Sequence, residues 1–107
     1  MQTAEIKKIA LGALEELKAE NITVLDVKDR TSVTDVMIIC SGRSARHVHS
    51  VAENLVKRAK ENKCPPFGVD GKNSDTWVLV DLSHVMVHIM MPVTRELYQL
   101  EKLWGNE

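Results

Sequence analysis

The chain has 107 residues, with 14 basic and 15 acidic side chains and a formal net charge of −1. That length builds one domain around one core, and 44% apolar with 27% charged residues excludes disorder, collagen-like repeats and low-complexity architecture. No run of about 20 apolar residues is available to cross a membrane. The lack of a basic excess argues against a protein held mainly by phosphate contacts, and 4% aromatic residues make a poor base-stacking platform.

In chain order, residues 3–20 read as a helix. Ile6, Ile9, Ala10, Ala13, Leu14 and Leu17 recur at the spacing of one apolar stripe, and Asn21 is a suitable left-handed stop. Ile22 to Val27 is short and β-branched, hence a strand. After the polar stretch 28–32, Val36 to Cys40 is apolar on both faces, the pattern of a strand covered from both sides. Ser41-Gly42-Arg43-Ser44 breaks that pattern, Ser44 is a good N-cap, and the next helix runs to about Asn62 on Val48, Val51, Ala52, Leu55, Val56 and Ala59. Pro65-Pro66 forbids its continuation.

Phe67 to Asp70 is a short strand, followed by a turn-rich loop over 70–75. Trp77 to Leu82 and Val85 to Met91 are strands joined through Ser83-His84, a hairpin spacing without the favoured turn dipeptide. Pro92 opens a last helix whose buried stripe is expected at Val93, Leu97, Leu100 and Trp104. The order α-β-β-α-β-β-β-α, without repeat or linker, describes a single α/β (α+β) domain over residues 1–107, with helices packed on one mixed sheet.

Two cysteines, Cys40 and Cys64, are too few for a disulfide framework and read as reduced thiols. Met1 to Glu5 lead into the first helix without an apolar signal region, so a cytoplasmic protein is expected. The four histidines do not make a metal site. His84 and His88 lie about 13 Å apart along a strand, and His47 and His49 diverge by about 200° on a helix. No nucleophile elbow accompanies the serines, and Cys40 sits in an apolar run.

The strand–Gly-Ser loop–helix junction at Ser41 to Arg46 is the best case for an enzyme, because a helix N-terminus attracts phosphate. The plainer reading is a glycine turn and a serine cap. Phosphoryl transfer would need paired carboxylates on a neighbouring strand, and none follow. Trp77, Leu79 and Asp81 share one face of their strand, and Val78, Val80 and Leu82 the other. Trp77, beside a polar loop, and Tyr98, about 100° off the last helix's stripe, look off-core, where aromatic residues serve as interface anchors.

These residues also carry a resemblance. Thr34-Asp35, Ser41-Gly42-x-Ser44-x-Arg46-His47, Gly68-Val69-Asp70-Gly71, Trp77, Val87-His88 and Arg95-x-x-Tyr98-x-Leu100-Glu101-x-Leu103-Trp104 resemble the Iojap family of ribosomal silencing factors from about Leu25 to Trp104, in order and spacing. The resemblance implies a mixed five-stranded sheet related to nucleotidyltransferases but lacking their catalytic carboxylates. It further implies a non-enzymatic protein without catalytic residues, cofactor or metal. Such a protein binds the large ribosomal subunit through ribosomal protein L-fourteen, blocks joining of the small subunit under nutrient limitation, and often forms a homodimer. Its contact surface maps here to Trp77, Leu82 and Tyr98, with Arg95 and its neighbours as weaker candidates. Met90-Met91-Pro92-Val93-Thr94 departs from the family's more polar and acidic stretch there. With this expectation the near-zero charge gains a meaning: docking on a ribosomal protein, with little direct RNA contact and modest salt dependence.

Overall fold

In a computed structural model, which describes residues 2–105, the chain runs α1 (Thr3–Glu16), β1 (Glu20–Asp26), β2 (Val36–Ser41), α2 (Ala45–Glu61), β3 (Gly68–Asp70), β4 (Trp77–Asp81), β5 (Val85–Met90), α3 (Pro92–Tyr98) and α4 (Leu100–Trp104). The strands form one five-stranded sheet in the order β1-β2-β5-β4-β3. β2 and β5 run parallel, and the other neighbours antiparallel. The expected single α+β domain and its element order hold, except that the last helix is two pieces.

The helical stripes bury as their spacing requires. Ile6, Ala10, Ala13 and Leu14 of α1, and Val48, Val51, Ala52, Leu55 and Ala59 of α2, are buried. They cover the sheet face formed by Ile38, Cys40, Val80, Val87 and Ile89. Strand alternation then assigns the other face: Met37 and Ile39 of β2 and Met90 of β5 pack with Val27 and Leu100, flanked by Leu25, Trp77 and Trp104. β2 and β5 are central, buried on both sides, and read as continuous apolar runs for that reason.

The first helix stops earlier than its stripe suggests. Lys18 takes a left-handed φ of 59°, and the Ala19 N–H donates back to the Leu14 carbonyl at 3.0 Å, closing the helix so that Glu20 can pair with Ser41. Asn21 is left-handed too (φ 50°), but within β1, where the register to β2 slips between Glu20 and Thr23. The β4–β5 turn is the expected two-residue one: the Leu82 N–H donates to the Val85 carbonyl at 2.9 Å, Ser83 adopts a φ of 74°, and its N–H is held by the Asp81 carboxylate at 2.8 Å.

The C-terminal helix departs most from its periodicity. Gln99 is left-handed (φ 49°, ψ 53°), which turns the axis between α3 and α4. Val93 and Leu97 are therefore 77% and 74% exposed, while Leu100 is buried. The expected stripe is two half-stripes facing opposite ways.

Candidate functional site

The face carrying β4, β5 and the C-terminal helices assembles its site around Trp77. The loop before β4 presents this residue by short-range bonds: the Ser74 hydroxyl accepts from the N–H groups of Thr76 and Trp77, both at 3.2 Å, and the His49 ring bonds the Ser74 carbonyl. Gly71 has a φ of 86°, and a Cβ there would overlap the Trp77 carbonyl oxygen. Only glycine fits that turn.

The half-buried Trp77 indole donates its N–H to Nδ1 of His88 at 3.0 Å, with the rings 5.8 Å apart. His88 is itself buried, and desolvation pushes its pKa down to about 4. It is thus a neutral imidazole with its proton on Nε2, an acceptor that fixes the indole's direction. On its other side Trp77 meets Tyr98 of α3, centroids 4.9 Å apart and tilted by 51°, a favourable aromatic geometry. Tyr98 is 55% exposed. A cleft of about 380 Å³ opens beside the pair, lined by Trp77, Tyr98, Leu79, Thr94, Asp70 and Gly71 among others.

Arg95 lies behind this surface. Its side chain is 11% exposed, and the guanidinium donates to Glu101 at 2.6 Å, to the Ser41 hydroxyl at 2.9 Å and to the Thr23 hydroxyl at 3.0 Å. One side chain therefore ties α3 to α4, β2 and β1. Fan-shaped donation to three acceptors is a task for arginine and not for lysine. Leu82, expected with the contact residues, lies elsewhere: it is 3% exposed and belongs to the core under α1 and α2. Alternation along the strand points it with Val78 and Val80, away from Trp77. So the structure brings Trp77 and Tyr98 together, sets Arg95 behind them as a clamp, and does not bring Leu82 to the same place.

Val93 and Leu97, read from sequence as buried, are instead exposed beside Tyr98, and Leu103 of α4 is exposed as well. No residue of α3 is buried. The signal that would have exposed this is the break at Gln99, and glutamine carries no turn preference that could announce it.

The loop considered for phosphate binding engages part of its polar groups internally. Ser44 accepts from the His47 N–H at 3.1 Å, the Arg43 N–H donates to His47 Nδ1 at 2.9 Å, and the opposite ring nitrogen donates to the Leu17 carbonyl at 2.7 Å. Arg43 pairs with Glu20, and a Cβ on Gly42 would collide with Val48. The loop is a junction between α1 and α2. Burial pushes the Cys40 thiol up to about 12, so it is no nucleophile at neutral pH. Among the described residues, no group of three or more His, Cys, Asp and Glu side chains is placed to hold a metal ion.

The sequence profile of the family described as "Ribosomal silencing factor during starvation" matches residues 1–107. The chain belongs to this family. It is 47% identical over 95 residues to ribosomal silencing factor RsfS of Haemophilus influenzae, covering 89% of this chain and 93% of that one. Against RsfS of Chromobacterium violaceum it is 39% identical over 107 residues, covering 100% of this chain and 88% of the relative. A crystal structure of a Chromobacterium violaceum protein superposes with a TM-score of 0.96 at 39% identity, over 100% of this chain and 89% of that one. The Iojap resemblance read from the motifs and the mixed five-stranded sheet are both borne out.

Proposed function

We propose that this chain silences ribosomes as a docking protein and not as an enzyme. It binds the large ribosomal subunit through ribosomal protein L-fourteen and, by its bulk, keeps the small subunit from joining when nutrients are short. The observation that carries this reading is the apolar surface of α3. Val93, Leu97 and Tyr98 are turned to solvent on a helix with no buried residue, and Tyr98 is braced from behind by Trp77. Exposed aromatic and aliphatic anchors on a rigid support are the material of a binding hot spot.

A steric mechanism asks only for affinity and size. A body of 36 × 32 × 21 Å between two subunit faces holds them well beyond contact distance. The formal charge of −1 suits a protein partner better than a phosphate backbone. No helix among the described residues is long and apolar enough to cross a membrane, and action in the cytoplasm fits the reading. A second copy of the chain could cover the same apolar helix, in which case a homodimer and the ribosome compete for one surface.

Tyr98→Ala tests the reading. The side chain is half exposed and makes no hydrogen bond to the core, so the fold should persist. Loss of a central anchor should cost about 2 kcal/mol, roughly 30-fold in affinity, read by co-sedimentation with purified large subunits. Wild-type binding by the variant would remove α3 from the contact.

A further inference from the structure

The two-helix layer does not reach the edge of the sheet. α2 packs on β4 and β5, and beyond it, between the helix and edge strand β3, lies an open groove of about 780 Å³. Its floor is apolar: Ala52 and Val56 of α2, Val69 of β3, Val78 of β4, and Pro66. Its helical wall runs from His49 to Glu61, about 18 Å at the helical rise. Lys57 and Lys60 stand on that wall, and Lys72 on the opposite rim.

The charges on this rim are unbalanced. Among the described residues none of the three lysines has an ion-pair partner. Glu53 and Glu61 also line the groove, and Glu61 shares Arg58 with Glu16, so three lysines against two carboxylates leave the rim with an excess of one positive charge. The rim therefore selects an acidic occupant, while the floor selects one with an apolar face. A phosphate backbone would satisfy the rim and waste the floor.

The groove has room for a helical occupant. A helix about 18 Å long and 10 Å across, sunk to half its depth, displaces roughly 700 Å³, close to the volume of the groove. It would lie alongside α2 at the usual interaxial distance of about 8–10 Å and extend the helical layer over β4 and β3. We propose that the groove is a second docking site, taking an acidic amphipathic helix of a partner protein. It is on the opposite face of the sheet from Tyr98 and independent of the α3 surface.

The test is a displayed library of amphipathic helices of about 14 residues, with flank positions randomised among Glu, Gln and Lys, selected on the full chain. Selection should enrich Glu on the flanks. The selected peptides, measured by fluorescence anisotropy, should bind wild type and Tyr98→Ala alike and weaken at least about tenfold on Lys57→Glu/Lys60→Glu/Lys72→Glu. The three lysines are exposed, but Lys57→Glu and Lys60→Glu set like charges beside Glu53 and Glu61 and an anion in the last turn of α2, so the triple variant should melt slightly below wild type. Lys72→Glu alone, on a loop, should weaken binding about threefold and serves if the triple variant does not fold. Enrichment of Gln or Lys, or affinity untouched by either variant, overturns the proposal. So does a homodimer that the lysine reversals abolish, since the occupant would then be a second copy, or ribosomal RNA bound more tightly than any selected helix. Loss of peptide binding in Tyr98→Ala would show that the two surfaces are one.

Discussion

Under α1 and α2 the sheet buries Ile38, Val80, Val87 and Ile89 beneath two long helices that contribute their own apolar stripes. On the reverse, a smaller group around Ile39, Met90 and Leu100 is covered by two short helices, the first of which keeps Val93, Leu97 and Tyr98 outside. One side is held by apolar area. The other is held by polar and aromatic fixings: the Arg95 fan, the Trp77–His88 hydrogen bond and the Trp77–Tyr98 ring pair. A face that leaves its apolar residues in solvent must be fastened by something else, and these three contacts are the fastening.

Four changes break or sharpen that contrast. Leu55→Ala, in the larger core and fully buried, should cost about 3–4 kcal/mol in urea denaturation while leaving the folded fraction able to bind large subunits. A cost under about 1 kcal/mol would mean that stability does not reside under the long helices.

Next is pH. His88 has a folded pKa of about 4 against an ordinary 6.5, so below about 6.5 the unfolded chain takes up a proton that the folded chain refuses. Stability is complete above that pH, falls as pH drops and levels off below about 4, a swing of roughly 3 kcal/mol. Denaturation at pH 7, 6 and 5 should show it, and His88→Gln should flatten it while keeping an acceptor for Trp77.

Arg95→Ala removes three hydrogen bonds and leaves Glu101 without its partner, and should cost about 2 kcal/mol. It should also weaken large-subunit binding by loosening α3, and Arg95→Lys should restore little. Wild-type stability in Arg95→Ala would show that the clamp is dispensable.

The smallest effect on stability belongs to Leu97→Ser. This residue is 74% exposed, so the change should stay within about 0.5 kcal/mol while still lowering affinity for the large subunit. Destabilisation would return Leu97 to the core, where its spacing had placed it.

That misplacement shows how far the sequence could be read. The stripes of α1 and α2 were legible because each helix buries one continuous face against one layer, so spacing and burial coincide. Strand alternation likewise separated Trp77 from Val78 and Val80. The same alternation set Leu82 apart from Trp77, although the family motif grouped them. Tyr98 was legible as an off-stripe aromatic. Its neighbours were not, because Val93, Leu97, Leu100 and Trp104 satisfy a single helical period and nothing in Tyr98-Gln99-Leu100 signals a left-handed residue.

By itself the sequence determined what depends on local periodicity and residue chemistry: the elements and their order, the inward faces of the two long helices, the cap at Ser44, and the motifs that mark the family. Tertiary structure alone decided which way α3 faces, that Arg95 ties α3 to α4, β2 and β1, and that a basic, apolar-floored groove remains between α2 and β3. Each of these rests on groups far apart in sequence. Arg95 meets Thr23 and Ser41, and Lys57 and Lys72 line one groove. Hydrogen bonds and burial at such separations are set by where the sheet brings strands together, and no spacing along the chain encodes them.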